Sequence, residues 1–441
     1  MKQSGIDWIG EIPDDWKIEK FGHVLKERNE KNNPIISTER LSVSIDIGVT
    51  LYSDKTTNLD RFKDDFSQYK IAHEGDLVMN SMNVIVGSEG ISPYFGCVSP
   101  AYYTYYCDDE DFNSARYCDY LFKTKSLKKF LRAIGKGIYA IDRGDDKVNT
   151  CRLKVSRMDM KNLLIPLPPK ATQQRIAEYL DSKCAQIDSI IEESKKSIEE
   201  YKAWKQSVIF EAVTGKVKGG KGEVKMKNSG AEWIGEIPED WKIVKLRNIG
   251  RCQNGISKGS EFFGKGTPFV SYGDVYRNMA LSENVTGLIQ STDEEKFRYS
   301  VKRGDIFFTR TSETIEEVGI ASVCLKTINN ACFAGFLIRV RPFNNMIIPE
   351  FAKYYFRNIR LRDYFAKEMT LVTRASLSQN LLKELPVVVP PLTSQLSLIT
   401  FLDSKCAQID SLIAEKESLI ADLTEYKKSL IFEVVTGKRS V

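Results

Sequence analysis

Met1 to Lys20 reads MKQSGIDWIGEIPDDWKIEK, and Met226 to Lys245 reads MKNSGAEWIGEIPEDWKIVK. Fifteen of the twenty positions are identical at an offset of 225. Working outward, Asp181 to Ile191 (DSKCAQIDSII) returns as Asp403 to Ile413 (DSKCAQIDSLI). Ile209-Phe210-Glu211 and Val213-Thr214-Gly215-Lys216 return at an offset of 222. A fixed period of about half the chain marks a tandem duplication. Between the matched ends, residues 21–160 and 246–380 share only scattered features, such as Gly75-Asp76-Leu77-Val78 against Gly304-Asp305-Ile306-Phe307. The matched parts are expected to do one job twice and the divergent parts two different jobs, although neutral drift of the middle blocks would leave the same pattern.

The chain has 441 residues, which suits two domains plus connecting elements. Its hydrophobic fraction of 42% and charged fraction of 28% are those of a soluble globular protein. No run approaches the roughly 18 apolar residues of a membrane span, and the N-terminus lacks the apolar region of a secretory signal, so no membrane contact and a cytoplasmic location are expected. Nine cysteines, scattered and without a Cys-x-x-Cys pair, signal neither a disulfide framework nor a zinc site. Two histidines, His23 and His73, leave little material for a metal cluster or His-based catalysis. The net charge of +5 is weak support for nucleic acid, but a local basic patch stands out at Lys123, Lys125, Lys128, Lys129, Arg132 and Lys136.

After Pro168-Pro169 and Pro390-Pro391, no Gly or Pro interrupts more than forty residues, so long helices are predicted over 171–214 and 393–436. An alternating 3-4 spacing picks out Ala177, Leu180, Cys184, Ile187, Ile191, Ile198, Tyr201, Val208 and Ala212 in the first copy. The second copy gives Ile399, Leu402, Cys406, Ile409, Ile413, Ile420, Leu423, Leu430 and Val434 in the same register. A seam sustained over about five heptads is a coiled-coil signal, and the simplest partner for each helix is the other. Ser194, Lys205, Lys416 and Lys427 interrupt the seam; polar residues there either fix register or face solvent at a local irregularity. Each helix ends at Thr-Gly-Lys, with Gly where a left-handed C-cap is wanted. At 1.5 Å per residue each helix is about 60 Å long, the span of about 19 base pairs.

This gives a first globular domain over 1–170, a Lys/Gly-rich tether over 215–227, a second globular domain over 228–392 and a tail over 437–441. The globular blocks hold short β-like runs separated by Gly, Asn and Asp, so mixed α/β domains are expected. One helix is expected in each: Tyr120 to Lys123 with Leu127-Lys128, and Tyr354 to Arg357 with Leu361-Arg362.

At these residues the chain resembles the specificity subunits of type I restriction-modification systems. Three features carry the resemblance: the Trp-Ile-Gly-Glu-Ile-Pro-x-x-Trp opening of each half, the Pro-Leu-Pro-Pro…Gln-Gln-Arg-Ile-Ala…Leu-Asp start of the long helix, and the alternation of variable and matched regions. It implies two α/β target recognition domains separated by two long antiparallel helices that form a coiled coil, with a pseudo-two-fold repeat. Each recognition domain is implied to read one half of a bipartite, gapped double-stranded DNA site. The coiled coil is implied to set the gap and dock two adenine-methyltransferase subunits, with ATP-driven restriction subunits joining later. S-adenosylmethionine, ATP and Mg are then expected on partner subunits and none on this chain, which is expected to be non-catalytic. The second copy departs from the pattern, with Leu392-Thr393-Ser394-Gln395-Leu396 where the first has Gln173-Gln174-Arg175. That puts in doubt whether the two helix starts meet partners alike.

The variable blocks carry no family motif for base contacts, so candidates rest on chemistry. Asn80, Ser81 and Asn83 follow the Gly75 strand, and Thr309, Arg310, Thr311 and Ser312 follow the Gly304 strand; such side chains read base edges. Turn-forming polar residues are the plainer reading. Tyr139, Arg143 and Arg374, in polar segments before the long helices, are further base candidates. Lys125, Lys128, Lys129, Arg132, Arg357, Arg360 and Arg362 are phosphate candidates, against the plain reading of solvated helix faces.

Two motifs are decoys. Gly259-x-x-x-x-Gly264-Lys265-Gly266 imitates a P-loop but ends in Gly where a Ser or Thr hydroxyl must meet magnesium. Pro13-Asp14-Asp15-Trp16-Lys17 imitates a nuclease motif, yet its acids are adjacent rather than on facing strands. No Asn-Pro-Pro-aromatic segment of an adenine methyltransferase is present. A coiled-coil scaffold without DNA affinity and a complete single-chain enzyme are the rival readings.

Overall fold

The computed structural model describes residues 1–45, 47–55, 65–109, 114–138, 152–217, 225–312, 317–368 and 375–441. The two Pro-Pro pairs open helices of 44 residues each, Lys170–Val213 and Leu392–Val435. Both stop where the sequence wants a cap. Gly215 (φ +75°) and Gly437 (φ +72°) are left-handed, and a Cβ on either would lie 2.3 Å from Pro238 or Pro13. The flanking amides close the last turn, Lys216 N–H to Glu211 O at 2.7 Å and Lys438 N–H to Glu433 O at 2.8 Å.

The chain divides into two compact units that are not its two repeats: Met1–Ser194 with Ser418–Val441 (unit 1), and Lys195–Glu417 (unit 2). The opening motifs explain the division, because each carries apolar residues that need a cover. In unit 1, Ile9, Ile12 and Trp16 of the first motif join a core with Leu430, Ile431, Val434 and Val435 from the end of the second long helix. In unit 2, Ile234, Ile237 and Trp241 join Ile209, Ala212 and Val213 from the end of the first. The Lys after each cap ties the motif down, Lys438 Nζ to Ile9 O at 2.7 Å and Lys216 Nζ to Ile234 O at 2.7 Å.

Within each unit the stretches of the two long helices run antiparallel. Unit 1 brings Ile176, Leu180, Cys184 and Ile187 into one core with Leu430 and Val434; unit 2 does so for Ile209 and Ala212 with Leu402 and Cys406. Of the seam positions, Leu180, Ile187, Ile198, Leu402 and Ile409 are buried, while Ile191, Tyr201, Ile413, Ile420 and Leu423 are half-buried. Two of the seam lysines bridge to the facing helix, Lys427 to Asp188 and Lys205 to Asp410, each at 2.6 Å. At the repeat offset of 222 these are the same pair.

Each unit holds an antiparallel four-stranded sheet of the same order. In unit 1 it is Lys26–Glu27, Tyr102–Tyr106, Leu77–Asn80 and Glu89–Ile91; in unit 2, Gly250–Asn254, Leu337–Pro342, Ile306–Thr309 and Ala321–Val323. The Gly-Asp pairs 75–76 and 304–305 start the third strand of each. Leu77, Val78 and Met79, like Ile306, Phe307 and Phe308, are buried on both faces. A second pairing, Lys17–Lys20 with Leu164–Leu167 and Lys242–Lys245 with Pro386–Val389, leads each block into a long helix.

The single helix expected in each block is two. Ala115–Phe122 is followed by Lys125–Ile134, because the Thr124 hydroxyl caps the second helix by accepting Leu127 N–H. Pro349–Arg357 is followed by Leu361–Glu368, with Asn358 extended between them.

Candidate nucleic-acid interface

In both units the strand begun by Gly-Asp ends at the residues proposed for base reading, and in both its end is stitched to the segment that returns to a long helix. Ser81 O accepts Val155 N–H at 3.3 Å, and Arg310 O accepts Leu377 N–H at 2.7 Å. The strand ends are thus fixed by matching bonds while their side chains differ.

In unit 1, Asn80 accepts Met82 N–H at 3.1 Å and shapes a turn in which Asn83 is half-buried. Ser81 is fully buried. The helix Lys125–Ile134 lies against the short turn Val84–Val86 that follows, where Arg132 Nε donates to Ile85 O at 3.2 Å. This places exposed Lys129 and Arg132 on a helix that packs beside the Asn80–Asn83 turn. Lys125 reaches Glu425 at 3.2 Å, and Lys128 lies 3.6 Å from the buried Glu89. Desolvation pushes the Glu89 carboxyl up to about 8, against the opposing pull of Lys128.

In unit 2, Thr309 is fully buried, its hydroxyl donating to Glu317 O and accepting Ile320 N–H, both at 2.9 Å. Arg310 is half-buried, and Thr311–Ser312 pair with Ala375–Ser376. Arg357 is turned inward, donating to Tyr276 O at 2.6 Å and to Val275 O and Ala321 O at 3.0 Å. Burial depresses the pKa of both Arg357 and Arg362. Arg360 is exposed and 3.3 Å from Asp363. Tyr139, Arg143 and Arg374 lie outside the described residues.

Tertiary pairing adds neighbours that no local pattern marked. Arg310 N–H donates to Phe336 O at 2.9 Å, which sets Phe336, 65% exposed, beside that strand end. Gln379 donates to Asn254 at 2.8 Å across 125 residues. The only sequence signal for these is residue type; their meeting depends on strand pairing.

The Asp of each Leu-Asp motif holds the block to its long helix. Asp181 accepts from Tyr120 at 2.5 Å and from Arg116, and Asp403 from Tyr354 at 2.6 Å and Lys353 at 2.8 Å. Among the described residues, no group of three or more His, Cys, Asp or Glu is arranged to hold a metal ion, and no helix is long and apolar enough to cross a membrane.

Residues 13–200 and 238–420 each match the family model described as the type I restriction modification DNA specificity domain. The chain is 23% identical over 444 residues to the type I restriction enzyme EcoBI specificity subunit of Escherichia coli, covering 95% of this chain and 90% of that one. Against the EcoKI specificity subunit of Escherichia coli (strain K12) it is 24% identical over 295 residues, covering 66% of this chain and 60% of that subunit. Its fold is similar to a solved chain from work on complex assembly and conformational transition of the type I R-M system, with TM-score 0.71, 15% identity and coverage of 97% and 100%.

Proposed function

Because the chain belongs to the type I restriction-modification DNA specificity family, we propose that each of its two blocks reads one half of a bipartite, gapped DNA target. The paired long helices set the gap and dock two adenine-methyltransferase subunits, which restriction subunits join. One observation carries this reading: the two units repeat the same strand order, helix start and cap, yet differ in the side chains at the strand ends. A repeated frame with divergent polar tips is what two readers of different sequences require.

In this reading Asn80, Asn83, Arg310, Thr311 and Ser312 contact base edges, joined by Tyr139, Arg143 and Arg374; Ser81 and Thr309 hold the strand ends in place. Lys129 and Arg132 in unit 1 and Arg360 in unit 2 contact phosphates, with Lys125, Lys128 and Arg362 reaching them after local rearrangement and Arg357 fixing the helix that carries them. The chain itself is non-catalytic. S-adenosylmethionine, ATP and Mg belong to the partners, and the assembly works in the cytoplasm.

The test is single-molecule sequencing of adenine methylation in cells expressing this chain with its neighbouring methyltransferase subunit, beside cells with the methyltransferase alone. A gapped two-part motif present only with this chain is expected, and replacing residues 21–160 should change one part of it and spare the other. No new motif from a confirmed complex would return the chain to the scaffold reading.

A further inference from the structure

Three strands of the unit 2 sheet have an end in common, and the residue at its middle is out of character with its neighbours. Asn254 pairs with Ile338 and Thr309 with Leu337, so the close of Gly250–Asn254, the start of Leu337–Pro342 and the close of Ile306–Thr309 lie side by side. Phe336 immediately precedes the middle strand. It is 65% exposed, whereas every other residue from Ala331 to Val340 is buried. An aromatic ring left in water within an otherwise covered stretch forgoes the stabilisation that burial would give it.

The main chain beneath the ring is fixed. Phe336 O accepts Arg310 N–H at 2.9 Å, Leu337 N–H donates to Ala334 O at 3.0 Å, and Gly335 N–H donates to Ile256 O at 2.8 Å. Gly255 permits this close approach, because a Cβ there would run into Ala334 O and Phe333 O. Polar groups flank the ring, with Arg310 on the side of one neighbouring strand and Asn254, bonded to Gln379 at 2.8 Å, on the side of the other. Among the described residues of the segments that meet there, 254–257, 309–311 and 376–379, no other large apolar side chain is exposed. Unit 1 has no such ring. Tyr102 pairs with Asn80 as Leu337 does with Thr309, which puts half-buried Ala101 at the position of Phe336.

We infer that Phe336 is a specificity-determining residue, which packs on the C5-methyl group of a thymine in the half of the target read by unit 2. The inference rests on the two-part DNA reading proposed above and adds an apolar contact to it. A protein partner buries a contiguous apolar patch, and one isolated ring does not supply that. A single apolar group among Arg, Asn, Gln and Thr matches instead the edge of a base pair in the major groove, where the thymine methyl is the one apolar feature. Arg310 and Thr311 hydrogen-bond to neighbouring base edges, while the ring favours thymine over cytosine, which has no methyl group to meet it.

The test uses the complex of the full chain with its methyltransferase subunit, as wild type, Phe336→Ala and Phe336→Leu. Each is titrated with duplexes carrying the gapped motif found by methylation sequencing. In the half that survives replacement of residues 21–160, each thymine is exchanged in turn for deoxyuridine, which removes the methyl group alone. Wild type is expected to lose about fivefold in affinity at one thymine. Phe336→Ala should bind the two duplexes equally and melt at the wild-type temperature, and Phe336→Leu should keep part of the discrimination. Deoxyuridine that costs wild type nothing at any thymine, or costs wild type and Phe336→Ala alike, would overturn the inference. So would weaker binding of the methyltransferase subunit by Phe336→Ala without DNA, which would give the ring to a protein contact. Failure of the two-part reading shows differently, as a wild-type complex that yields no gapped motif, and it takes the inference with it.

Discussion

Lys123 in unit 1 and Arg357 in unit 2 stand at matching points after the Tyr-x-Phe of their first short helices, but they face different neighbours. Arg357 spends its donors on the carbonyls of Val275, Tyr276 and Ala321, part of them supplied by the helix Tyr272–Arg277. Lys123 instead pairs with the buried Asp119 beside Glu89, around a cavity of about 360 Å³. A neutral, backbone-lined interface in one unit is an ionisable one in the other. The lesson is that a shared frame does not fix how the helix-to-sheet gap is filled; each block fills it with what its own insertions supply.

The Gly-Asp aspartates show the reverse case, in which unrelated partners meet one need. Asp76 accepts His73 N–H and a bidentate grip from Arg28, while Asp305 accepts Lys302 N–H and the same grip from Arg341. Arg28 follows an edge strand and Arg341 lies within its neighbour, yet both neutralise a carboxylate that is almost wholly buried. Asp76→Ala and Asp305→Ala should each cost about 3–5 kcal/mol, because each leaves an arginine without its partner. Hydrogen exchange should show the loss in the unit that carries the change. Equal loss of protection in both units would mean that the units do not fold separately.

The ionisable gap of unit 1 predicts a pH dependence that unit 2 lacks at this place. With its pKa raised to about 8, Glu89 in the folded protein holds a proton that the unfolded chain has released above about pH 4.5. Its contribution is therefore present at low pH and is lost as pH rises, by about 1.4 kcal/mol per pH unit well below the folded pKa and by about 2 kcal/mol in all between pH 6 and pH 8. Glu89→Gln should flatten that slope in urea denaturation. An unchanged slope would place the buried proton elsewhere.

In unit 2, Arg357→Met should cost about 2 kcal/mol by leaving carbonyls of Val275, Tyr276 and Ala321 without a donor. Because those carbonyls are polar but uncharged, the loss should not vary between pH 6 and pH 8. The smallest effect is expected at the repeated ion pairs. Double-mutant cycles on Asp188–Lys427 and Asp410–Lys205 should each give about 0.5 kcal/mol, falling with added salt, since both aspartates are largely exposed. A clear inequality between the two cycles would show that the helix pairing is not as symmetric as its sequence.

The periodic elements were legible from the sequence because local rules govern them. A long interval free of Gly and Pro behind a Pro-Pro pair is a helix in any context, and Gly215 and Gly437 end it because only glycine takes the left-handed cap without strain. The divergent blocks were legible only in outline. Expecting one helix through Tyr120 to Lys128 missed the Thr124 cap, a hydroxyl that outweighs helix periodicity over two residues. The interface candidates were harder still: residue type marks Lys128 and Arg357 as phosphate ligands, but Glu89 and the carbonyls that face them come from segments distant in sequence.

By itself, then, the sequence determined the duplication, the two long helices with their caps, and the kinship, since each is written in residues that act on near neighbours or recur at a fixed offset. Only the tertiary structure decided that the compact units cut across the repeats and that Asp76 and Asp305 find arginines on different strands. Those outcomes depend on which distant apolar face covers each opening motif and on which distant donor reaches each buried acceptor. Burial and hydrogen-bond satisfaction impose such requirements on the folded chain as a whole, and no local pattern states how they are met.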